Sequence, residues 1–243
     1  MNIFKYLQKK GIDTVDAAFY RKIEEWNSWY IGNVRNFSFY RVYSGQGSYT
    51  RRKRKSLGMA KKISEDIADL LLNERVKIIL SDKRTDDYVK KVLKDAKFLV
   101  KGNEYQERKA YTGTVAYIPY LDKITVSEAG DVLSGKVKIN YVSAGNIFPI
   151  SWENGTIIEC AFTFVKRTGK KKYVHVQFHW LKEEQYVIEN TVVECISGSL
   201  EGRELNPEEW ERLRPFKGLA KKVETGSKEP QFVIDKLNIV NNA

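Results

Sequence analysis

The amino-acid sequence predicts an α+β fold in which helices come first and an antiparallel sheet follows. Three observations lead to this prediction. Apolar residues recur at helical spacing in the first 122 residues, runs of β-branched and aromatic residues dominate from about residue 123, and three of those runs are joined by very short links. We therefore expect a helical part with short strands at 1–122 and a β-rich part at 123–243.

The first long helix is predicted from a stripe of apolar side chains. The stripe consists of Val15, Phe19, Ile23, Trp26 and Tyr30. Their steps of three or four residues place them on one helical face, and Gly32 fits the position at which a helix ends. The stripe is interpreted as core by default, with a subunit contact as the alternative, because a helix near a chain end often docks on a neighbour. The candidate contact residues are Phe19, Trp26, Trp29 and Tyr30.

A basic run follows a stretch of fading periodicity at 33–50, which we expect to be a loop. The run consists of Arg51, Arg52, Lys53, Arg54 and Lys55. It is either a solvated loop or a patch that contacts phosphates, and both interpretations stay open at this point. Gly45 and Gly47 do not form a nucleotide-binding loop, because no Gly-Lys-Ser or Gly-Lys-Thr ending follows them.

An amphipathic helix and a short strand are predicted directly after the basic run. Ser56 is a candidate N-cap and Asn73 a candidate helix end. The apolar residues of the helix, which we expect to be buried, are Met59, Ile63, Ile67, Leu70 and Leu71. The alternation over 76–80 then predicts a strand with at least one packed face.

The next segment predicts a helix, a shorter helix and a strand. Thr85 is the expected cap of the first of these helices, whose buried face is formed by Val89, Val92, Leu93 and Ala96. Gly102 and Asn103 interrupt the helical pattern before a short helix over 104–112, and Pro119 is expected to close the strand TVAYIPY.

Four β-rich runs follow, and the last three predict an antiparallel meander. The runs are VKINYV, TIIECAFTFVK, KKYVHVQFHWL and QYVIENTVVECI, and the links RTGK and KEE join the last three. We expect one core face, formed by Ile158, Cys160, Phe162, Phe164, Val174, Val176, Phe178 and Trp180. The opposite, solvent-facing side would then carry Glu159, Thr163, His175, Gln177 and His179.

The sequence offers no recognisable catalytic constellation. His175 and His179 are the only histidines, and their spacing along one strand is too wide for a shared metal. Cys160 and Cys195 are expected to be buried thiols in a reducing compartment. We therefore predict no catalytic residue, no metal and no cofactor. No stretch approaches the roughly 20 apolar residues of a membrane span, so no membrane partner is expected.

The C-terminal segment predicts a short helix and a final strand. Asn206 is the expected cap, Pro207 the first helical residue, and Pro215 the end of the helix. The segment QFVIDKLNIV reads as a strand or an extended stretch. An apolar run so near the end suggests that the natural chain continues.

The charge balance favours a polyanionic partner. The chain has 42 Lys and Arg against 31 Asp and Glu, a formal net charge of +11. A second basic cluster lies at the predicted tip of a hairpin and consists of Lys166, Arg167, Lys170, Lys171 and Lys172. Because no recognition helix or zinc-finger pattern is present, any DNA contact would be with the backbone and not with the bases.

Four segments taken together resemble the portal proteins of tailed bacteriophages, in the branch found in phages of Gram-positive bacteria. They are FYRKIEEWNSWYIGNV, YRVY, RRKRKSLGMAKKISEDIADLLLNERVKI and VSAGNIFPISWENGTIIECAF. The likeness covers most of the chain and is strongest in 1–80 and 140–165.

The resemblance implies N-terminal helices packed on a β-rich wing, in a ring of about twelve subunits at one capsid vertex. It further implies a channel through which the terminase drives double-stranded DNA, contacts with the major capsid, head-completion and tail proteins, and no catalytic residues. The protein would lie in the virion, and in the host cytoplasm during assembly. The stem, clip, tunnel and crown of such proteins do not follow here, so we expect a truncated portal that contains the wing.

Two other function classes remain as alternatives. One is a stand-alone basic protein that binds nucleic acid, whose affinity as a monomer would fall steeply with salt. The other is an enzyme with an unrecognised site, which would require a pocket with perturbed titratable groups.

Overall fold

The computed structural model describes residues 2–45, 47–73, 75–126 and 132–237. The first elements are α1 (Ile3–Lys9), α2 (Ala17–Tyr30), β1 (Phe39–Tyr43), β2 (Tyr49–Lys53), α3 (Met59–Leu71), α4 (Lys83–Asp95), α5 (Phe98–Thr112), β3 (Thr114–Val126) and β4 (Val132–Ser143). They are followed by β5 (Ile147–Glu153), β6 (Thr156–Thr168), β7 (Lys171–Lys182), β8 (Gln185–Glu194), β9 (Arg203–Leu205), α6 (Pro207–Glu211), β10 (Lys222–Glu224) and β11 (Val233–Lys236). The sheets are antiparallel, and the predicted α+β class is confirmed.

The chain folds into two compact units. The first contains residues 1–17 and 146–234, and the second contains residues 18–145 and 235–243. The chain therefore starts in the first unit, passes through the second and returns. The boundary near residue 123 that composition suggests stays a prediction.

The first unit is built on a sheet of strand order β10-β8-β7-β6-β5, with β9 also paired to β8. Strands β6, β7 and β8 form the predicted antiparallel meander. The link between β7 and β8 is a two-residue turn in which Glu183 (φ +49°) and Glu184 (φ +62°) are both left-handed. Such a turn matches the twist of the flanking strands and fixes their register.

The two faces of this sheet differ from the prediction. Phe162 pairs with Gln177 and Cys160 with His179, so the predicted core face of β6 lies on the same side as the histidine. His179 is fully buried, with the rings of Phe162 and Phe232 each 5.3 Å from its own ring. Val176 lies on the opposite face and is buried as well. Both faces are therefore covered, and the prediction of a solvent-facing His179 is wrong; His175 is half-buried.

Two small helices help to cover this sheet. In α1, Leu7 is fully buried and the ring of Phe4 meets that of Phe148 edge to face at 5.7 Å. Helix α6 begins as predicted, with Asn206 and Glu209 forming a reciprocal capping box. It ends at Glu211, before Pro215. The core under α6 consists of Tyr173, Val192, Leu205, Trp210 and Phe216.

The second unit contains a three-stranded sheet of order β11-β3-β4 with α5 beside it. Strand β3 does not end at Pro119 as predicted, because the pairs on either side of the proline, Ile118 with Asn140 and Tyr120 with Lys138, keep the register. Lys109 of α5 is nearly buried, and its Nζ lies 2.9 Å from Oδ1 of Asp235. This ion pair ties β11 to α5.

Helix α5 runs without a break through Gly102, where an interruption was predicted. The reason is a close approach between helices. A Cβ at Gly102 would lie 2.4 Å from Cδ2 of Leu72, which follows α3 directly. Glycine is therefore present for packing and does not mark the end of a helix.

The predicted caps of α3 and α4 are each displaced by a few residues. The N-cap of α4 is Asp82, whose carboxylate accepts hydrogen bonds from the backbone N (2.7 Å) and Oγ1 (2.6 Å) of Thr85. Helix α3 is preceded by Gly58 in the left-handed conformation (φ +64°), and Ser56 Oγ accepts a hydrogen bond from Gly58 N at 3.1 Å. Ser56 thus shapes the turn before the helix.

Two predictions of local structure are wrong: a predicted loop contains strands, and a predicted strand is irregular. Residues 39–43, inside the expected loop, pair with residues 49–53, at the end of that loop and the start of the basic run, to form the antiparallel hairpin β1–β2. Residues 76–80, expected to be a strand, belong to no strand or helix. There the backbone N of Leu80 donates to Oδ1 of Asp86 at 3.0 Å, so a side chain replaces a neighbouring strand as the acceptor.

Candidate functional site

Three residues of the basic run, Arg51, Arg52 and Lys53, lie on the second strand of an exposed hairpin, and Arg54 and Lys55 follow that strand. Cross-strand pairing sets Phe39 against Lys53, Arg41 against Arg51, and Tyr43 against Tyr49. Directly paired residues point to the same side of an antiparallel ribbon. One face of the hairpin therefore carries three cations and three aromatic rings, and every residue of β2 is exposed.

Aromatic rings support two of the arginines. The guanidinium of Arg51 lies 4.0 Å from the ring centroid of Phe39, and that of Arg54 lies 5.6 Å from the rings of both Phe37 and Tyr40. A guanidinium stacked on a ring keeps the N–H donors at its edge available. Such donors match the paired oxygens of a phosphate.

The hairpin is the centre of a long segment without acidic residues. Residues 26–64 contain no Asp or Glu, and their basic residues are Arg35, Arg41, Arg51, Arg52, Lys53, Arg54, Lys55, Lys61 and Lys62. Within the described part of the chain, none of the five residues 51–55 forms a salt bridge. Their charge is free to act on an external anion.

The second basic cluster lies at the turn between β6 and β7, in the first unit. Its Lys171 Nζ lies 2.6 Å from Oε1 of Glu194, which also accepts from Arg203 at 3.0 Å. The hydrogen bonds from Lys171 and then Arg203 hold the pKa of Glu194 below its usual value. The other members, Lys166, Arg167, Lys170 and Lys172, have no salt bridge among the described residues. This cluster is thus partly neutralised by its own unit.

The predicted subunit-contact residues of α2 divide into two groups. Tyr30 is occupied within the chain, since its ring stacks on Tyr111 at 4.1 Å and its hydroxyl donates to Glu107 at 2.5 Å. Burial, followed by Glu107, raises the pKa of Tyr30. Trp26 is half-buried, whereas Phe19 and Trp29 are exposed. Only Phe19 and Trp29, which are 39% and 43% exposed, therefore present a substantial part of an aromatic side chain to solvent.

The apolar face of α3 is exposed, which contradicts the prediction that it is buried. This α3 face consists of Met59, Ile63, Ile67, Leu70 and Leu71, whose exposed fractions run from 37% to 84%. The helix packs through its small residues Ser64 and Ala68 instead. Small side chains and Gly102 allow α3 and α5 to approach closely, and that packing turns the large apolar side chains outward.

An apolar groove lies between segment 76–79 and the helices α4 and α5. It has a volume of about 500 Å³. Its apolar lining consists of Val76, Ile78, Ile79, Leu93, Phe98, Leu99 and Val100, and its rim carries Lys77, Lys90, Lys94 and Lys97. Sequence reasoning missed this groove. The signal that could have revealed it is that segment 76–80 has apolar residues on both of its faces, so each face would have to pack against something.

Burial shifts the pKa values of several titratable groups among the described residues. Burial lowers the pKa of His179 to about 3, and burial also lowers that of His175, whose Nε2 lies 2.8 Å from Oδ1 of Asn190. Burial raises the pKa of the Cys160 thiol, while Cys195 is half-buried. The described residues contain no group of three or more His, Cys, Asp or Glu that could hold a metal ion. Across the same described ranges, no helix has the length and apolarity needed to cross a membrane.

Comparisons with known proteins give one family. The model of the family described as phage portal protein, SPP1 Gp6-like, matches residues 9–207. No curated protein matches the sequence. The matched range includes the hairpin, the α3 face, the groove and the meander.

Proposed function

The chain belongs to the SPP1 Gp6-like family of phage portal proteins, and from this membership we propose that it is a structural subunit of a portal ring at a capsid vertex. Double-stranded DNA would pass through this ring during packaging by the terminase and during ejection, and head-completion and tail proteins would attach to it. The observation that carries this proposal is the family match over 9–207.

The exposed apolar side chains support a role in an assembly. A monomeric protein rarely leaves a large contiguous apolar patch in water. Here one helix, α3, exposes five large apolar residues, and α2 adds the rings of Phe19 and Trp29. Burial of such side chains against other subunits is the usual source of affinity in an oligomer.

The β1–β2 hairpin is our candidate for contact with DNA. Its cations have no acidic partners among the described residues, and rings hold Arg51 and Arg54 in place. A surface of this kind binds phosphates and reads no sequence. That property suits a protein that must let any genome sequence pass. Lys166, Arg167, Lys170 and Lys172 are weaker candidates, because their neighbour Lys171 is neutralised by Glu194.

The proposed role is non-enzymatic and places the protein in the virion. Movement of DNA through a portal takes its energy from the terminase, so the subunit itself requires no catalytic residue. Its partners would be further copies of itself, DNA, the terminase, and the major capsid and head-completion proteins.

Native mass spectrometry and electron microscopy of the purified chain test the proposal. We expect a closed ring of many copies with an axial opening. A chain that stays monomeric at high concentration, yet binds double-stranded DNA with an affinity that falls steeply with salt, would instead support the stand-alone nucleic-acid-binding protein. This second candidate function is supported by the basic residues 51–55 of the hairpin region, which form no salt bridge among the described residues.

A further inference from the structure

Two exposed apolar surfaces of the second unit have complementary form. The α3 face is convex, a helix whose exposed side chains Ile63, Ile67 and Leu70 lie at positions i, i+4 and i+7. The groove beside segment 76–79 is concave. Helices bind in apolar grooves through residues at such i, i+4 and i+7 positions.

Neither surface is covered by its own chain in the described structure. Helix α3 contacts α5 through Ser64, Ala68 and the adjoining Leu72, so the α3 face points away from its own helical neighbour. In the groove, Ile79 is 72% exposed and Val100 is 71% exposed. Both surfaces therefore lack an occupant.

The charges around the two surfaces are opposite in sign. From residue 63 to the end of α3 the charged residues are Glu65, Asp66 and Asp69, with no Lys or Arg among them. Helical spacing places Asp66 beside the α3 face, whereas Asp69 accepts a hydrogen bond from Asn103 of α5 at 2.9 Å. Glu65 and Asp66 form only exposed i, i+4 pairs with lysines of the first helical turn, which hold them weakly.

The rim of the groove supplies the opposite charge. Lys77, Lys94 and Lys97 have no salt bridge among the described residues, whereas Lys90 pairs with Asp86 at 2.5 Å. Three lysines thus surround an apolar floor, and the occupant that fits is an apolar helix flanked by a carboxylate, as Asp66 flanks the α3 face.

We propose that the α3 face of one copy fills the lysine-rimmed groove of the next copy. The inference rests on the proposed portal role and deepens it by naming a contact between subunits. Because the two surfaces are different patches of one subunit, the contact is heterologous, and repeated heterologous contacts with a suitable rotation close into a ring.

Two single variants and their mixture test the contact. Ile63→Asp disrupts the α3 face, and Ile79→Asp disrupts the groove; these side chains are 52% and 72% exposed, so neither change removes core packing. Leu200→Asp, at a 62% exposed position in the first unit, is the matched control. Circular dichroism should show the same fold in all three.

Sedimentation of the 243-residue chain gives the readout. We expect each α3 or groove variant to self-associate at least about thirtyfold more weakly than the wild type, since a charged carboxylate would replace an apolar side chain in the buried contact, and the control to be unaffected. An equimolar mixture of the two variants retains one intact α3 face and one intact groove, so it should form a one-to-one dimer and stop there. Lys94→Glu combined with Lys97→Glu should match Ile79→Asp without altering an apolar residue.

The outcomes separate this contact from the portal role. If wild-type rings form and both variants form them equally well, the contact is wrong while the portal role stands; a groove that receives another protein would give this result. If the two variants lose self-association but their mixture forms no dimer, the pairing of these two surfaces is wrong. If the wild type does not self-associate at any concentration, both the contact and the ring fail.

Discussion

The β6–β8 meander and segment 39–80 look alike in sequence, with apolar residues at regular spacing beside basic runs, but they differ in structure. In the meander both faces are buried, down to the ring of His179. In segment 39–80 the hairpin is a two-stranded ribbon with exposed strand β2, and α3 presents its large apolar residues to solvent.

This difference shows where the chain buries its own apolar side chains and where it leaves them exposed and available to a partner. A lone two-stranded hairpin is marginally stable in water, so its aromatic and basic residues are poorly explained by folding alone. The five exposed apolar residues of the α3 face are likewise poorly explained by folding alone. Segment 39–80 is therefore the region to associate with partners, and the meander is the region that holds the first unit together.

The largest contrast should come from truncating one apolar residue in each region. Phe162→Ala removes a fully buried ring of β6 and should lower the free energy of unfolding by about 3–5 kcal/mol. Leu70→Ala, at an 84% exposed position of α3, should change it by less than about 0.5 kcal/mol in the monomer. Urea unfolding at low protein concentration measures both. Equal losses would contradict the contrast.

Acid should weaken the meander first, because both histidines lie in β7. His179 keeps a pKa of about 3 in the folded chain, against an ordinary value of 6.5. Below pH 6.5 the unfolded chain therefore takes up a proton that the folded chain does not. Stability that is present above pH 6.5 should fall by about 1.4 kcal/mol per pH unit as the pH is lowered toward 3.

His179→Gln is the variant that checks this pH dependence. Thermal unfolding between pH 7 and pH 4.5 should show a smaller loss of stability than in the wild type, even if the variant is less stable at pH 7. His175, whose pKa is lowered in the same direction, accounts for part of the remaining slope. An unchanged slope in the variant would show that His179 titrates normally.

A glycine substitution tests the close packing that turns the α3 face outward. Gly102→Ala adds a Cβ that would lie 2.4 Å from Leu72 Cδ2. The clash should lower stability by about 1–3 kcal/mol and outweigh the gain of up to about 1 kcal/mol in helix propensity. Gly145→Ala, where nothing lies within 4 Å, should be nearly neutral. Differential scanning calorimetry compares the two, and a stabilised Gly102→Ala variant would refute the packing argument.

The smallest effects on stability should come from the basic residues, whose role is tested by binding. Arg51→Ala with Lys53→Ala should leave stability nearly unchanged and reduce the salt dependence of DNA affinity by about one counterion per removed contact. Lys171→Ala, which removes a lysine already paired with Glu194, should have less effect on binding. Fluorescence anisotropy with duplex DNA at several salt concentrations measures this. Equal effects would remove the distinction between the two clusters.

Sequence reasoning reached the α+β class, the meander, α2 and the cap of α6, because each has a strong local signal such as periodicity, a short link or an Asn-Pro start. It failed where tertiary packing decides. The interruption at Gly102 was predicted because glycine weakens helices, yet Gly102 lies inside α5, where its lack of a side chain allows Leu72 to approach closely. The burial of α3 was predicted from its apolar stripe, but Ser64 and Ala68 give the closer helix contact.

The same limit applies to the candidate site. The five basic residues 51–55 were visible in the sequence, but their position on a hairpin backed by Phe39 and Phe37 was not, because the ribbon depends on pairing across a turn. The groove escaped notice because it joins an irregular segment to two helices. The histidines were misplaced because strand alternation alone does not show that both faces of a sheet are covered.

The central claim is that segment 39–80 contacts partners, whereas the meander stabilises the fold of the first unit. Hydrogen exchange of the chain at low and high protein concentration tests this claim most directly. On self-association we expect amide protection to increase in α3 and in 76–100, while β6, β7 and β8 exchange equally slowly in both states. Protection that rises in the meander, or that does not change in α3 when the chain assembles, would contradict this division of the molecule.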